Sequence, residues 1–163
     1  MEIGKKMQDA VNKQINRELY SGYMYLSMAA YFESENLKGF AHWMRKQAGE
    51  EKKHAMKFFE FVTERAGRVS LEAIEKPPHS WKSPLGAFED ALVHEQKVTQ
   101  MIYGLADLAE SEKDRASGSM LKWFIDEQVE EENSANEIVQ KLKMIGNSGS
   151  GLVMLDKELG KRE

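Results

Sequence analysis

The sequence predicts an all-α protein: a four-helix bundle with one long crossover between the second and third helices, followed by a short fifth helix. Three observations predict this fold. Helix-forming residues recur with a period of about 3.6 over long stretches. All three prolines lie between residues 77 and 84, so they leave the flanking stretches uninterrupted. The links within each half of the chain are short, whereas the link between the halves is long.

The expected helix boundaries follow from capping residues. Gly67 is suited to the C′ position after the second helix. Ser83 can cap the third helix with Pro84 at its first position, and Asp114 can cap the fourth. "GNSGSG" is expected to be a flexible hinge. We expect one domain over residues 1–163, with helices at about 5–34, 37–66, 84–113, 115–146 and 151–161 and the bundle over about 5–146.

The link lengths predict the topology of the bundle. The break "SENLKG" and the link near Asp114 are short, so each half is expected to be an antiparallel hairpin. The segment "RVSLEAIEKPPHSWKSP" has about 17 residues, which reach roughly 55–60 Å when extended. A helix of about 30 residues is about 45 Å long, so this segment can return along a whole helix. A plain up-down bundle with a loose loop is the alternative, but long structureless loops are uncommon.

Composition excludes several classes of function. The net charge is −4, which gives no basic surface for nucleic acid and no polybasic patch for a membrane. No apolar run approaches the roughly 20 residues of a membrane span. The first residues, "MEIGKKMQDAVNKQ", lack the apolar centre of a signal peptide. There is no cysteine, so disulfides and thiolate metal sites are excluded. We expect a cytoplasmic protein.

Each long helix carries an apolar stripe that polar side chains interrupt near its middle. On the second helix, for example, the stripe runs from Met44 to Phe58 and contains two residues three positions apart, Glu51 and His54. The interruptions begin about 12 to 14 residues into each helix, so they meet at one depth whichever way the helices point. The interrupting residues are Glu18, Gln47, Glu51, His54, Glu95, Gln128 and Glu131.

A shared polar layer of this kind predicts a metal site. Burying ionised carboxylates costs several kcal/mol each, and their mutual repulsion adds to that cost. No Lys or Arg lies among the stripe residues to neutralise them. Four carboxylates balance the charge of two divalent ions, and oxygen ligands with one imidazole suit iron or manganese. Glu51 and His54 are therefore expected to form half of a di-metal centre.

The residue pattern resembles the non-haem ferritins of prokaryotes over the full length of the chain. The matching stretches include "NRELYSGYMYLSMAAYF", "GFAHWMRKQAGEEKKHAMKFFEFVTERAGRV", "FEDALVHEQKVT" and "LKWFIDEQVEEE". The wider pattern of di-iron carboxylate bundles takes one Glu from each of two helices and Glu-x-x-His motifs from the others. The resemblance implies a ferritin-like bundle that oxidises iron(II) with oxygen or peroxide and stores a ferric mineral in a hollow shell of 24 subunits.

The resemblance also implies roles for individual residues. Glu18, Glu51 and His54 look like the ligands of one ferroxidase iron. Glu51, with Glu95 and Glu131, looks like the ligand set of the second iron, so Glu51 would bridge the two.

Further positions also match the family. Gln128 would orient bound oxygen or water beside the iron pair. Tyr25 resembles a nearby tyrosine that donates a hydrogen bond or an electron, although a buried tyrosine with a satisfied hydroxyl explains it equally well. A third iron position, toward the cavity, is matched by Glu50, Glu127, Glu130 and Glu131, although an acidic run such as "DEQVEEE" is also typical of a solvated face.

This sequence differs from several related families, and the differences indicate which type of ferritin it resembles. Haem-holding bacterioferritins carry Met where this chain has Lys52, and a second Glu-x-x-His on the fourth helix, so no haem is expected. Rubrerythrins append a four-Cys iron domain, which a chain without cysteine lacks. The acidic pore residues of animal ferritins correspond here to Gly118 and Leu121, so the route of iron entry is left open. Trp43 and Trp81 are expected to be exposed, which would suit a large oligomer.

Two rival functions remain at this point. One is a non-catalytic helical bundle that binds or scaffolds, with the inward carboxylates forming a water-filled polar layer. The other is a peroxide-reducing di-iron protein, and the absence of an electron-transfer domain argues against it.

Overall fold

The predicted helices are present, with small differences at their ends. The structure, a computed structural model, describes residues 2–163 and contains no β-strand in that range. The expected all-α architecture is therefore confirmed. The helices are α1 (Lys5–Ser34), α2 (Lys38–Glu64), α3 (Pro84–Ser111), α4 (Arg115–Ile145) and α5 (Gly149–Leu159).

Two of the predicted caps form as expected. The Ser83 hydroxyl accepts a hydrogen bond from the Gly86 amide at 3.0 Å, with Pro84 opening α3. The Asp114 carboxylate accepts from the Ser117 amide at 3.1 Å. These side chains satisfy amides that a helix start leaves without a partner, which is why both sequence signals were reliable.

The expected roles of Gly67 and of the hinge were wrong in detail. Ala66 holds the left-handed position after α2, with φ of 56°, and Gly67 is the next residue, donating to the Val62 carbonyl at 2.9 Å. Glycine is required there for space, because a Cβ would lie 2.6 Å from Ile3 Cγ2. The second half of "GNSGSG" is not a hinge, since Ser148 caps α5 and Gly149 begins it.

The crossover runs along α1 from one end of the bundle to the other. Asn12 donates to the Arg68 carbonyl at 3.0 Å, and Asn16 donates to the Ala73 carbonyl at 3.1 Å. Farther along α1, Ser27 donates to the Pro78 carbonyl. Because the chain returns the whole length before α3 begins, α3 runs parallel to α2, and α4 runs parallel to α1. The crossover arrangement is therefore present, and the loose up-down alternative is not.

The core consists of two apolar clusters, one toward each end of the bundle. The first packs around Phe32, Phe40 and Phe88, and the second around Phe58 and Phe124. The polar layer of the four stripes lies between these two clusters. Within residues 2–163 no helix combines the length and apolar character needed to span a membrane.

The expected exposure of Trp43 was wrong. Its side chain is only 7% exposed, with its ring edge-on to Phe88 and the Arg162 guanidinium 4.4 Å from its ring centre. Trp81 is half-buried against Tyr31 and donates to the Asp90 carboxylate. Both indoles therefore contribute to the fold of the chain itself.

Candidate metal centre

The four helices bring the predicted polar residues together in one buried layer. Glu18 lies on α1, Glu51 and His54 on α2, Glu95 on α3 and Glu131 on α4, and each is at most 8% exposed. Helical spacing explains the local arrangement, since residues three or four positions apart share a face. Residues on different helices meet because the two antiparallel hairpins pack against each other with the polar residues near the middle of every helix.

Two groups of ligand atoms form within this layer, and they share one residue. Glu18, Glu51 and His54 each place one oxygen or nitrogen atom within 4.8 Å of the others. Glu51, Glu95 and Glu131 do the same. The two groups contain the same residues as the two ligand sets that the resemblance to ferritins implies, and Glu51 belongs to both.

Hydrogen-bond donors hold the carboxylates in place. Gln14 Nε2 donates to Glu18 Oε1 at 2.8 Å. Gln47 Nε2 donates to Glu51 Oε1 at 3.0 Å and also to the Glu131 carboxylate. The remaining carboxylate, that of Glu95, is supported from two other helices: the Tyr25 hydroxyl of α1 donates to one oxygen, and Gln128 of α4 donates to the other at 3.2 Å.

Three buried polar atoms have no hydrogen-bond partner in residues 2–163: Glu18 Oε2 and both ring nitrogens of His54. His54 Nδ1 lies 3.3 Å from Glu51 Oε2 and 3.9 Å from Glu18 Oε2. Buried polar groups are nearly always satisfied, so orphaned atoms that face one another indicate a missing common partner. A cation held between them would supply it.

The electrostatics of the layer favour the same interpretation. Burial raises the pKa of Glu18 and of Glu51 well above the usual range, and neighbouring carboxylates raise both further. Burial also raises the pKa of Glu95, and it raises that of Glu131 to about 7 with the help of Glu95. Without a cation, the carboxylates therefore compete for protons rather than all being ionised at neutral pH.

The residues expected at a third iron position are less clearly grouped. Glu127 joins His54 and Glu131 in a third cluster of potential ligand atoms, with 3.8 Å between its carboxylate and His54 Nε2. Glu50 instead pairs with Lys53 at 2.7 Å, and Glu130 is exposed. The third position remains a prediction.

Gln14, His94 and Arg162 were not predicted from the sequence, and Gln47 was placed in the polar layer without a supporting role. Gln14 and Gln47 each precede a layer glutamate by four positions, and this repeated spacing was a usable signal. His94 packs beside Tyr25 and bonds to Ser21, while burial lowers its pKa to about 4. Arg162 reaches Gln47 from the far end of the chain, for which the sequence carried no signal.

A four-helix bundle that buries carboxylates and an imidazole between two apolar clusters belongs to the class of carboxylate-rich, metal-binding bundle proteins. Residues 8–145 match the ferritin family as a Ferritin-like domain.

Two curated relatives and one solved structure are similar over nearly their whole length. The bacterial non-haem ferritin of Bacteroides fragilis is 42% identical over 160 residues, covering 98% of this chain and 99% of that protein. That of Staphylococcus aureus is 37% identical over 160 residues, covering 98% and 96%. The open pore ferritin of the archaeon Archaeoglobus fulgidus is 54% identical, with a TM-score of 0.99 and coverage of 99% and 100%. The chain therefore belongs to the ferritin family, as an iron-storage ferritin of the prokaryotic non-haem type.

Proposed function

We propose that this ferritin oxidises iron(II) to iron(III) at the buried layer and stores the product as a ferric mineral inside a hollow protein shell. The observation that carries the proposal is the pair of three-residue ligand groups that share Glu51. Shared carboxylates hold two ions close to each other, which a site for two-metal chemistry requires. Under this proposal Glu18 and His54 complete one iron position, and Glu95 and Glu131 complete the other.

The donor set fits iron. Four carboxylates balance the charge of two iron(II) ions, and oxygen donors with one imidazole are hard ligands of the kind that iron accepts. The two nitrogens of His54 and Glu18 Oε2 are without hydrogen bonds in residues 2–163. Binding of iron would satisfy some of these atoms and relieve the repulsion among the carboxylates.

The reaction removes one electron from each of two bound iron(II) ions. Oxygen accepts the pair with two protons to give hydrogen peroxide, or peroxide accepts it to give water. The chain contributes position and charge: Glu51 holds both ions together, and the carboxylates stabilise the ferric product. Gln128 and Tyr25 keep Glu95 oriented through its two oxygens. A role for Gln128 toward bound oxygen and a role for Tyr25 as an electron donor are parts of the same proposal.

Storage requires assembly, and we propose a homo-oligomeric shell of 24 subunits in the cytoplasm. The similarity to the open pore ferritin of A. fulgidus over 99% of this chain supports a shell-forming subunit. The third iron position would use Glu50, Glu127, Glu130 and Glu131 as iron moves toward the cavity. Haem is not part of the proposal, because Lys52 stands where haem-binding relatives carry Met.

One experiment separates this function from its rivals. Iron(II) is added aerobically to metal-free protein, and the mixture is passed through a sizing column while protein and iron are both measured. A ferritin gives many iron atoms per subunit eluting with a large protein shell. A scaffold gives no bound iron, and a peroxide-reducing protein gives about two iron atoms per subunit without mineral.

A further inference from the structure

The fifth helix is fixed to the start of α2 by a close contact. Asp156 Oδ1 accepts hydrogen bonds from the Gly39 amide at 2.8 Å and the Phe40 amide at 3.0 Å. The α5 side chain therefore caps α2, a helix that has no side-chain cap of its own. A Cβ on Gly39 would lie 1.6 Å from the Asp156 carbonyl oxygen, so only glycine allows this approach.

The last residues of the chain continue from this contact along α2. The Arg162 carbonyl oxygen lies 2.6 Å from His42 Nε2, which donates to it. The Arg162 guanidinium stacks on Trp43 and donates to the Trp43 carbonyl at 3.2 Å. The same guanidinium donates to Gln47 Oε1 at 2.9 Å. The tail thus places the partly buried guanidinium of Arg162 in contact with Gln47, which in turn contacts the carboxylate layer.

Gln47 connects this cation to the layer. Its amide oxygen accepts from Arg162, and its NH₂ group donates to Glu51 and Glu131. A guanidinium can only donate and an ionised carboxylate can only accept. The opposite orientation of the amide would place its oxygen against the carboxylates and its NH₂ against the guanidinium, which is unfavourable on both sides. Arg162 therefore selects the orientation in which Gln47 serves both carboxylates.

We propose that Arg162 is a positioning residue for the metal centre, acting through Gln47 to fix the orientations of Glu51 and Glu131. The proposal rests on the function proposed above, since Glu51 is the shared residue of the two ligand groups. It makes the carboxyl-terminal tail part of the metal centre. Partners of metal ligands typically change metal affinity by 10–100-fold when removed, and Arg162 acts one step farther out.

The test compares three variants of the assembled, metal-free protein. Arg162→Gln removes the charge and keeps a polar side chain. Arg162→Lys can make one hydrogen bond to Gln47 but loses the planar fork and its stacking. Arg45→Gln is the control, because Arg45 is an arginine on α2, the helix of Gln47, but is exposed and pairs with Glu33 at 2.8 Å. Each is titrated with cobalt(II), whose visible absorption reports the ligand geometry, and initial rates of iron(II) oxidation are measured over a range of iron concentrations.

Arg162→Gln is expected to weaken cobalt(II) binding about 10-fold and to change the visible spectrum. Arg162→Lys should recover part of both effects, and Arg45→Gln should match wild type. Gln47→Met should be at least as impaired as Arg162→Gln. The double variant should be no worse than Gln47→Met alone, because coupled residues give non-additive effects.

A wild-type spectrum and affinity in Arg162→Gln would overturn the inference. So would additive effects in the double variant, because Arg162 would then not act through Gln47. If Arg162→Gln does not assemble, the Arg162→Lys spectrum and the Gln47→Met comparison decide the question. Wild-type protein that binds no cobalt(II) at the layer would instead overturn the proposed metal centre itself, so the two failures are distinguishable.

Discussion

The two hairpins of the bundle support their carboxylates in different ways. In the α1–α2 hairpin each layer glutamate receives a hydrogen bond from a glutamine four residues earlier on its own helix, Gln14 for Glu18 and Gln47 for Glu51. In the α3–α4 hairpin the supports come from other helices. Glu95 is held by α1 and α4, and the donor to Glu131 comes from α2.

The difference indicates how each half of the centre acquires its geometry. A donor at position i−4 is placed by the helix itself, so Gln14 can orient Glu18 before the bundle closes. Gln47 is placed in the same way, but its amide orientation also depends on Arg162 of the tail. The second hairpin depends on packing across helices. Gln128 supports Glu95 from within that hairpin, but the donors Tyr25 and Gln47 reach Glu95 and Glu131 only in the closed bundle. We expect changes in the first hairpin to act mainly through ligation and charge, and changes in the second to be sensitive to packing.

The largest expected effect comes from neutralising all four carboxylates. Changing Glu18, Glu51, Glu95 and Glu131 to Gln should abolish metal binding and raise the melting temperature of the metal-free protein. The costs of buried charge and of mutual repulsion are then absent, so the free energy of unfolding should rise by on the order of 4 kcal/mol. For a chain of this size that corresponds to about 10 °C. Thermal melts of metal-free wild type and variant, matched for assembly state, measure the change.

Half-variants sharpen the comparison of the hairpins. Glu18→Gln with Glu51→Gln should stabilise more than Glu95→Gln with Glu131→Gln, because burial and repulsion raise the pKa values of Glu18 and Glu51 well above the usual range. A quadruple variant that melts below metal-free wild type would contradict the charge argument for this layer. It would show that water or cations already compensate the carboxylates.

The next effect concerns the shared ligand. Glu51→Ala should slow initial iron(II) oxidation at least about 100-fold, since it removes a ligand from both groups and such losses exceed those at supporting residues. Glu130→Ala should slow it less than about 3-fold, because Glu130 is exposed and serves only the expected third position. Aerobic initial rates at matched protein concentration measure both. Equal losses would mean that the roles of the two residues were assigned wrongly.

The pH dependence of the stability of the metal-free protein should reveal the raised pKa of Glu131, a layer carboxylate of the second hairpin. The pKa of Glu131 rises from 4.5 to about 7 in the fold, chiefly through burial. The folded state therefore binds its proton more tightly than the unfolded state, so its contribution to stability is present at low pH and is lost as the pH rises toward 7. The linkage between proton binding and folding then lowers the free energy of unfolding by about 2 kcal/mol between pH 5 and 7.

Glu131→Gln supplies the control for this pH effect. The stability of wild type relative to Glu131→Gln should fall as the pH rises over that range, and denaturant melts of the two proteins at several pH values test it. A difference that is constant with pH, or that rises with it, would contradict a raised pKa. Comparing the two proteins removes the contributions of titrating groups away from the layer, whereas the contribution of Glu51, whose pKa the Glu131 charge helps to raise, changes with the substitution.

The sequence predicted those features that depend on helical periodicity and local chemistry. The stripes placed Glu18, Glu51 and His54 inside because their spacing repeats the period of a helix. The caps at Ser83 and Asp114 were predictable for the same reason, since both satisfy amides within their own helix. Because the stripes are interrupted at a similar distance along each helix, the sequence also predicted that the polar residues of the two hairpins lie at the same level of the bundle.

Contacts between distant parts of the chain were not predictable in this way. Arg162 meets Gln47 across 115 positions, and nothing local to either residue signals the contact. The burial of Trp43 was missed for the same reason, because Arg162 covers its ring. Gly67 was assigned to a backbone role, whereas the packing of Ile3 against it imposes the requirement. In each case tertiary packing supplied information that periodicity does not contain.

The smallest expected effect compares one support from each hairpin. Gln14→Leu removes the local donor to Glu18, and Tyr25→Phe removes the cross-helix donor to Glu95. Each should weaken cobalt(II) binding about 10-fold, the lower end of what supporting hydrogen bonds contribute. The two should differ in the pH dependence of this defect, because Tyr25→Phe leaves Gln128 as a donor to Glu95, whereas Gln14→Leu removes the amide that donates to Glu18.

In the metal-free protein Tyr25→Phe should therefore leave the melting temperature within about 3 °C of wild type, since Gln128 still donates to Glu95 and one net hydrogen bond is worth about 1 kcal/mol. Gln14→Leu has opposing terms: an apolar group replaces a buried amide, but Glu18 then has no donor and takes up a proton more readily. Its binding defect should accordingly become smaller as the pH rises and ionises Glu18, whereas the defect of Tyr25→Phe should change less. Cobalt(II) titrations of both variants at pH 6 and 8 check this, and an equal pH dependence would mean that local and cross-helix supports act alike.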